Sequence, residues 1–195
     1  MENKSNKISV LFTGENCVGK TSILIRLVED TFYEDNEDYS SGAITKSQIE
    51  FDNKTYSLLF YDSAGCEKYH AMTAEMYAPA NVVLLVYDVT NRESFDELTT
   101  YWKNNLFKYK KSLKDIVIIV IGSKNDLEKV VGDETAKEFA EKNNFLFTTV
   151  SAKTKEGIEK LRNMIMNQFL IIKNENIRIV VYKNKNKKTI TSCYK

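Results

Sequence analysis

Several things are scarce in this 195-residue chain, and each scarcity narrows what it can be. There are three cysteines, Cys17, Cys66 and Cys193, an odd number with no metal-ligand spacing. They exclude a disulfide-stapled scaffold and fit a reducing compartment. One proline and seven glycines are too few for a collagenous or low-complexity chain, and 43% hydrophobic residues are too many for a wholly disordered one. Apolar runs reach only about six residues, at 82–87 and 116–121, where a membrane-spanning helix needs roughly 18. The start, Met1-Glu2-Asn3-Lys4, is polar, so no signal peptide is expected. Glu2 stands where a myristoylation motif requires glycine.

Net charge is also scarce, at +1, and no nucleic-acid partner is expected. The balance is uneven along the chain. Residues 173–195 carry seven Lys/Arg against one Glu, net +6, and the first 172 carry 21 against 26 Asp/Glu, net −5. A mildly acidic body with a basic tail reads as a globular unit, 1–172, followed by an electrostatic contact arm, 173–195.

What is present is an alternation of short apolar runs with helical periodicity. Residues 8–13 are strand-like, and Ile23, Leu24, Leu27 and Val28 share one helical face. Segments 48–51 and 56–61 bracket Asp52-Asn53 as a hairpin. The runs 82–88 and 116–123 read as parallel strands buried on both faces. Residues 92–107 and 134–143 read as helices, 146–149 as a short strand, and Ile158, Leu161, Ile165, Phe169 and Ile172 keep helical spacing. This order implies an α/β domain with a mostly parallel sheet and helices on both faces. Ligands of such sheets sit at the carboxyl ends of the strands, here the loops after residues 13, 61, 88, 122 and 149.

The first of those loops, Gly14-Glu15-Asn16-Cys17-Val18-Gly19-Lys20-Thr21, fits G-x-x-x-x-G-K-[ST] between a strand and a helix, the context of a P-loop. Its glycines let the backbone curl so that successive N–H groups face phosphate oxygens. The following helix adds its positive end. Lys20 can reach the β- and γ-phosphates, and Thr21 can ligate Mg²⁺. The second loop, Asp62-Ser63-Ala64-Gly65, lies some 40 residues later. Its Asp62 can hold Mg²⁺ through water, and Gly65 can offer its N–H to a γ-phosphate. The third, Ser123-Lys124-Asn125-Asp126, supplies a carboxylate that can accept from guanine N1 and N2, and a lysine stem that can cover the base. The fourth, Ser151-Ala152-Lys153, has backbone N–H groups that can reach guanine O6. An ATP-using kinase would leave Asp126 without a purpose.

With these loops, and with Tyr87-Asp88-Val89-Thr90-Asn91-Arg92-Glu93-Ser94-Phe95, the sequence resembles a small GTPase of the Ras superfamily, within its Rab branch, from about residue 7 to 172. The segment Glu67-Lys68-Tyr69-His70 followed by Met76-Tyr77 is most similar to the early-endosomal Rab group. The resemblance implies a P-loop fold with a six-stranded sheet and five helices, bound GTP or GDP, and Mg²⁺. It implies nucleotide contacts at Gly14, Asn16, Cys17, Val18, Gly19, Lys20, Thr21, Ser22, Gly65, Ser123, Lys124, Asp126, Ser151, Ala152 and Lys153. Metal ligands would be Thr21, Asp62 and a serine of the first switch, Ser40 or Ser41. Switch segments from Tyr33 to Thr45 and from Gly65 to Tyr77 would meet effector, exchange and activating proteins.

Departures from the family pattern carry their own expectations. Cys66 stands where the family has the Gln that orients the attacking water, so no catalytic residue is assigned and hydrolysis is expected to be slow. An essentially non-hydrolysing, GTP-loaded interaction module is the alternative. Ser123 replaces Asn in N-K-x-D, so a weaker tether to the P-loop is expected. Cys193 is third from the end, where a C-a-a-X box would need cysteine at 192. The basic tail offers a route to anionic membranes. The expected location is cytoplasmic, peripheral on endosomal or vesicle membranes where the tail engages them.

Overall fold

A strand whose side chains are apolar on both faces is stable only where both faces are covered. In the computed structural model, Val82–Asp88 (β4) and Val117–Ser123 (β5) are buried along their whole length. Lys7–Thr13 (β1) is buried after its first residue. The structure describes residues 6–34, 44–62, 73–110 and 112–185, with side chains as far as Asn174.

Those strands form the middle of a six-stranded sheet ordered β2-β3-β1-β4-β5-β6, where β2 is Ile44–Phe51, β3 Lys54–Asp62 and β6 Leu146–Thr149. Every neighbouring pair is parallel except β2 with β3. That hairpin turns at Asp52 and Asn53, with φ of 50° and 56°, the left-handed pair that suits a two-residue turn.

The helices are Lys20–Glu29 (α1), Thr73–Tyr77 (α2), Arg92–Glu97 (α3), Lys103–Tyr109 (α4), Asp133–Lys142 (α5) and Ile158–Lys185 (α6). A π-helical turn, Leu98–Trp102, joins α3 to α4 in one rod, leaving five helical rods among the described residues. The sequence predicts this rod as one regular helix. The irregularity has a local cause: the Thr99 and Thr100 hydroxyls both donate to the Asp96 carbonyl, at 2.9 and 2.8 Å, and compete with the helical N–H.

Side-chain alternation in β1 divides the core in two. Ile8, Val10 and Phe12 join Ile23, Leu24, Leu161 and Ile165 on the face covered by α1 and α6. Leu11 joins Val83, Leu85, Phe95, Leu98, Trp102 and Leu106 on the other. The helical stripe of α6 is present, with Ile158, Leu161 and Ile165 buried and Phe169 and Ile172 packed beside them. The sequence reading ends the body at residue 172, but α6 itself continues past that point to Lys185.

The parallel strands bring the carboxyl ends of β1, β3, β4, β5 and β6 to one edge. Behind β6, Gly157 has a φ of +74°, and a Cβ there would stand 2.2 Å from the Thr149 carbonyl oxygen. Gly157→Ala is therefore expected to lose about 2 kcal/mol of stability or more in urea unfolding, and an unchanged midpoint would contradict this packing.

Candidate functional site

At that edge lies a cavity of about 700 Å³. One end is built by the loop between β1 and α1. Gly14, Cys17 and Gly19 take φ of 141°, 60° and 87°, so the backbone curls. The residue before α1 is Gly19, which has no side chain to cap the helix, so the positive end of α1 faces the cavity. Lys20 is 3% exposed, and its ammonium folds back to donate to the Gly14 carbonyl at 3.0 Å and the Glu15 carbonyl at 2.5 Å. Beside it the Thr21 hydroxyl donates to Asp62 Oδ2 at 2.6 Å, across 41 residues of sequence. A hydroxyl and a carboxylate are hard oxygen donors of the kind Mg²⁺ takes. Among the described residues no three His, Cys, Asp or Glu side chains gather to hold a metal by themselves. Thr21 and Asp62 fit Mg²⁺ as two such donors, of a kind that Mg²⁺ combines with phosphate oxygens and water.

The loop is held from outside by contacts that come from far along the chain. The Trp102 indole N–H donates to Glu15 Oε1 at 2.9 Å. The Ser123 hydroxyl lies 2.6 Å from the Val18 carbonyl and 2.9 Å from that of Tyr87. Its single proton cannot serve both at once, and the shorter approach favours Val18. The sequence reading expects a weaker tether than asparagine would give; serine makes it here with one hydroxyl, at 2.6 Å. Thr13, just before the loop, shares a 2.9 Å hydrogen bond with the Tyr77 hydroxyl. Burial pushes that phenol up to about 12, so it remains a neutral partner at physiological pH.

The other end is built by the loops after β5 and β6. Lys124, with φ of 56°, reaches back to Asp88 Oδ2 at 2.5 Å. Asp88 is itself nearly buried and also accepts from the Thr90 N–H and hydroxyl, at 2.9 and 2.8 Å. The Asn125 N–H donates to the Val150 carbonyl at 3.1 Å, so the two loops share one hydrogen-bonded edge. In the next turn the Thr154 N–H donates to Ser151 Oγ at 3.0 Å.

The cavity wall thus brings together Asn16, Cys17, Gly19, Lys20, Thr21, Ser22, Ser123, Lys124, Asp126, Ala152 and Lys153. Gly14, Val18 and Ser151 stand behind it as the supports just described, and Asp62 touches it through Thr21. Ser40, Ser41, Gly65, Cys66, His70, Cys193 and most of both switch segments lie outside the described residues. Sequence reasoning missed Phe32, which lines the cavity beside Tyr33 and Glu34. An aromatic residue three positions past the end of a P-loop helix was the available signal. It also missed Asp88 as the anchor of Lys124, although an acid closing a buried apolar strand is itself conspicuous.

A curled, glycine-bounded loop before an uncapped helix, at the carboxyl edge of a parallel sheet, defines a P-loop nucleotide-binding domain. A model of the Ras family matches residues 9–171. The chain is 34% identical to Ras-related protein Rab-1 of Theileria parva over 153 residues, 77% of this chain and 69% of that one. It is 34% identical to Ras-related protein RABA4b of Arabidopsis thaliana over 185 residues, 94% of this chain and 76% of the relative. Ras-related protein Rab-2B of Dictyostelium discoideum is 35% identical over 153 residues, 77% of this chain and 74% of the relative. The chain belongs to the Ras family, as a divergent member of its Rab branch, and so to the small GTPases of membrane traffic.

The Trp102 to Glu15 bond predicts its own cost. Trp102→Phe keeps an aromatic ring and removes the donor, and should lose about 1–3 kcal/mol in urea unfolding. Adding Glu15→Ala to it should cost less than the sum of the single changes, and strict additivity would show that the two side chains do not act together.

Proposed function

We propose that the cavity holds GTP or GDP with Mg²⁺ and that the protein works as a slow nucleotide switch. The observation that carries this reading is the buried Lys20 ammonium at the open end of α1, set in one cavity with Asp126, Lys124 and Ala152 at its far end. Lys20 and the loop N–H groups would bind the phosphates. Thr21 and Asp62, with Ser40 or Ser41, would hold the metal, which neutralises phosphate charge when bound. Asp126 would accept from guanine N1 and N2, the N–H groups after Ser151 would meet O6, and Phe32 offers an aromatic wall. Val18, Gly19, Ser22, Ser123 and Ser151 would complete the cradle. Gly65 would answer to the γ-phosphate, and the segments 33–45 and 65–77 would present the bound state to effector, exchange and activating proteins.

Slow hydrolysis follows from Cys66, which lacks the amide that aligns water. The same residue favours a second reading, a constitutively GTP-loaded module, and the nucleotide that co-purifies separates the two: GDP for a slow cycle, GTP for a module. The basic tail would add roughly 1 kcal/mol of attraction to an anionic membrane for each Lys or Arg near its surface. Among the described residues no helix is long and apolar enough to cross a membrane.

Two measurements test this reading. The purified chain should bind GDP at micromolar concentration with Mg²⁺, reject ADP, release GDP faster in EDTA, and lose binding on Lys20→Ala. Failure to bind GDP overturns the reading. In a single turnover, Cys66→Gln should cleave GTP about tenfold faster than the unaltered chain, the scale of one well-placed hydrogen bond to the attacking water. Equal rates would remove the argument for slowness.

A further inference from the structure

Arg26 lies in the last turn of α1, yet its guanidinium is mostly engaged outside that helix. Nε donates to the Ala152 carbonyl at 2.7 Å and Nη2 to the Lys153 carbonyl at 3.3 Å. Nη1 donates to the Asp30 carbonyl at 2.5 Å, closing the end of α1. The Arg26 side chain is only 12% exposed. Two ion pairs run alongside it, Lys155 with Asp30 at 2.6 Å and Lys153 with Glu34 at 3.6 Å. Both are more than half exposed and so contribute little. The shielded, charge-assisted bonds of Arg26 are the ones that decide where this loop sits.

In a trans peptide the carbonyl and the following N–H point in opposite directions. Drawing the Ala152 carbonyl toward α1 therefore turns the Lys153 N–H away from α1. Ala152 and Lys153 line the cavity, and Arg26 stands outside its lining. A cation on the carbonyl also polarises the peptide and strengthens its N–H as a donor. Through the Asp30 carbonyl the same side chain holds the end of α1 just before Phe32, on the cavity's other wall.

We propose that Arg26 is a positioning residue for base recognition: it fixes the Ala152–Lys153 peptide so that its N–H meets the O6 oxygen of a 6-oxopurine. The proposal rests on the guanine-nucleotide reading above, and its test keeps the two apart. The full chain is titrated with GDP and with 2-aminopurine riboside 5′-diphosphate, which lacks O6 and with it the N1–H, and keeps the N2 amino group, the sugar and the phosphates. The loss of N1–H weakens the analogue equally in every variant, so the comparison is of how much each substitution shifts each nucleotide. If the unaltered chain binds neither, the nucleotide reading itself falls and this proposal falls with it. Where it binds, Arg26→Ala should weaken GDP about tenfold and shift the 2-aminopurine analogue by less than about twofold, narrowing the preference between them. Arg26→Lys retains the charge without the fork, should fall between the two, and carries the same comparison if the alanine variant does not fold. An unchanged GDP affinity, or equal losses for both nucleotides, overturns the positioning role.

Discussion

A loop whose backbone turns its N–H groups inward has no internal ladder to hold it, and at this loop three φ values are positive, one of them on a cysteine. A left-handed non-glycine residue costs roughly 1–2 kcal/mol, so the curl must be stabilised from elsewhere. Lys20 grips the Gly14 and Glu15 carbonyls from within. Ser123, at the end of β5, takes the Val18 carbonyl from behind. Trp102 takes the Glu15 carboxylate from the side. Gly14 itself lies so close to β4 that a Cβ would stand 2.1 Å from the Val86 carbonyl oxygen. What reads in sequence as an eight-residue motif is the meeting point of β4, β5 and the π-helical turn. Its shape depends on the sheet around it.

That dependence explains which parts of the molecule could be read from the sequence. The buried strands were legible because both-face burial leaves unbroken apolar runs, as in Val82–Asp88. The loops stood out because they carry, at strand ends, the residue types that phosphates and a purine edge would demand, and the structure gathers those it describes around one cavity. The supports were not. Trp102 keeps helical spacing with Phe95 and Leu98, and that pattern explains its burial but says nothing about an indole N–H meeting a carboxylate 87 residues away. Arg26 follows three buried apolar residues of α1, and nothing local marks it as a contact with a loop 126 residues on. Phe32 sits at the start of a stretch without periodicity, so only the fold places it on the cavity. The end of the body at residue 172 is a reading of composition, not of backbone. Composition changes at residue 173, whereas the backbone of α6 does not.

The two ends of the cavity are not independent, because one element touches both. α1 begins at Lys20 and Thr21, beside the loop after β1, and in its last turn Arg26 grips the loop after β6. Its Ile23, Leu24 and Ile25 are buried, so it cannot bend or slide without disturbing the core beneath β1. A ten-residue helix spans about 15 Å, and packing fixes that length. α1 therefore acts as a spacer that sets how far the loop after β1 stands from the loop after β6, the two ends of the proposed nucleotide site. The segment that leaves its C-terminus is the one that carries Phe32, Tyr33 and the first switch. A rearrangement there must either preserve the Arg26 bond to the Asp30 carbonyl or give it up, and giving it up would loosen the guanidinium that also holds the Ala152–Lys153 peptide. If the cavity holds a guanine nucleotide as proposed, the grip on the base and the segment that follows α1 share a single side chain.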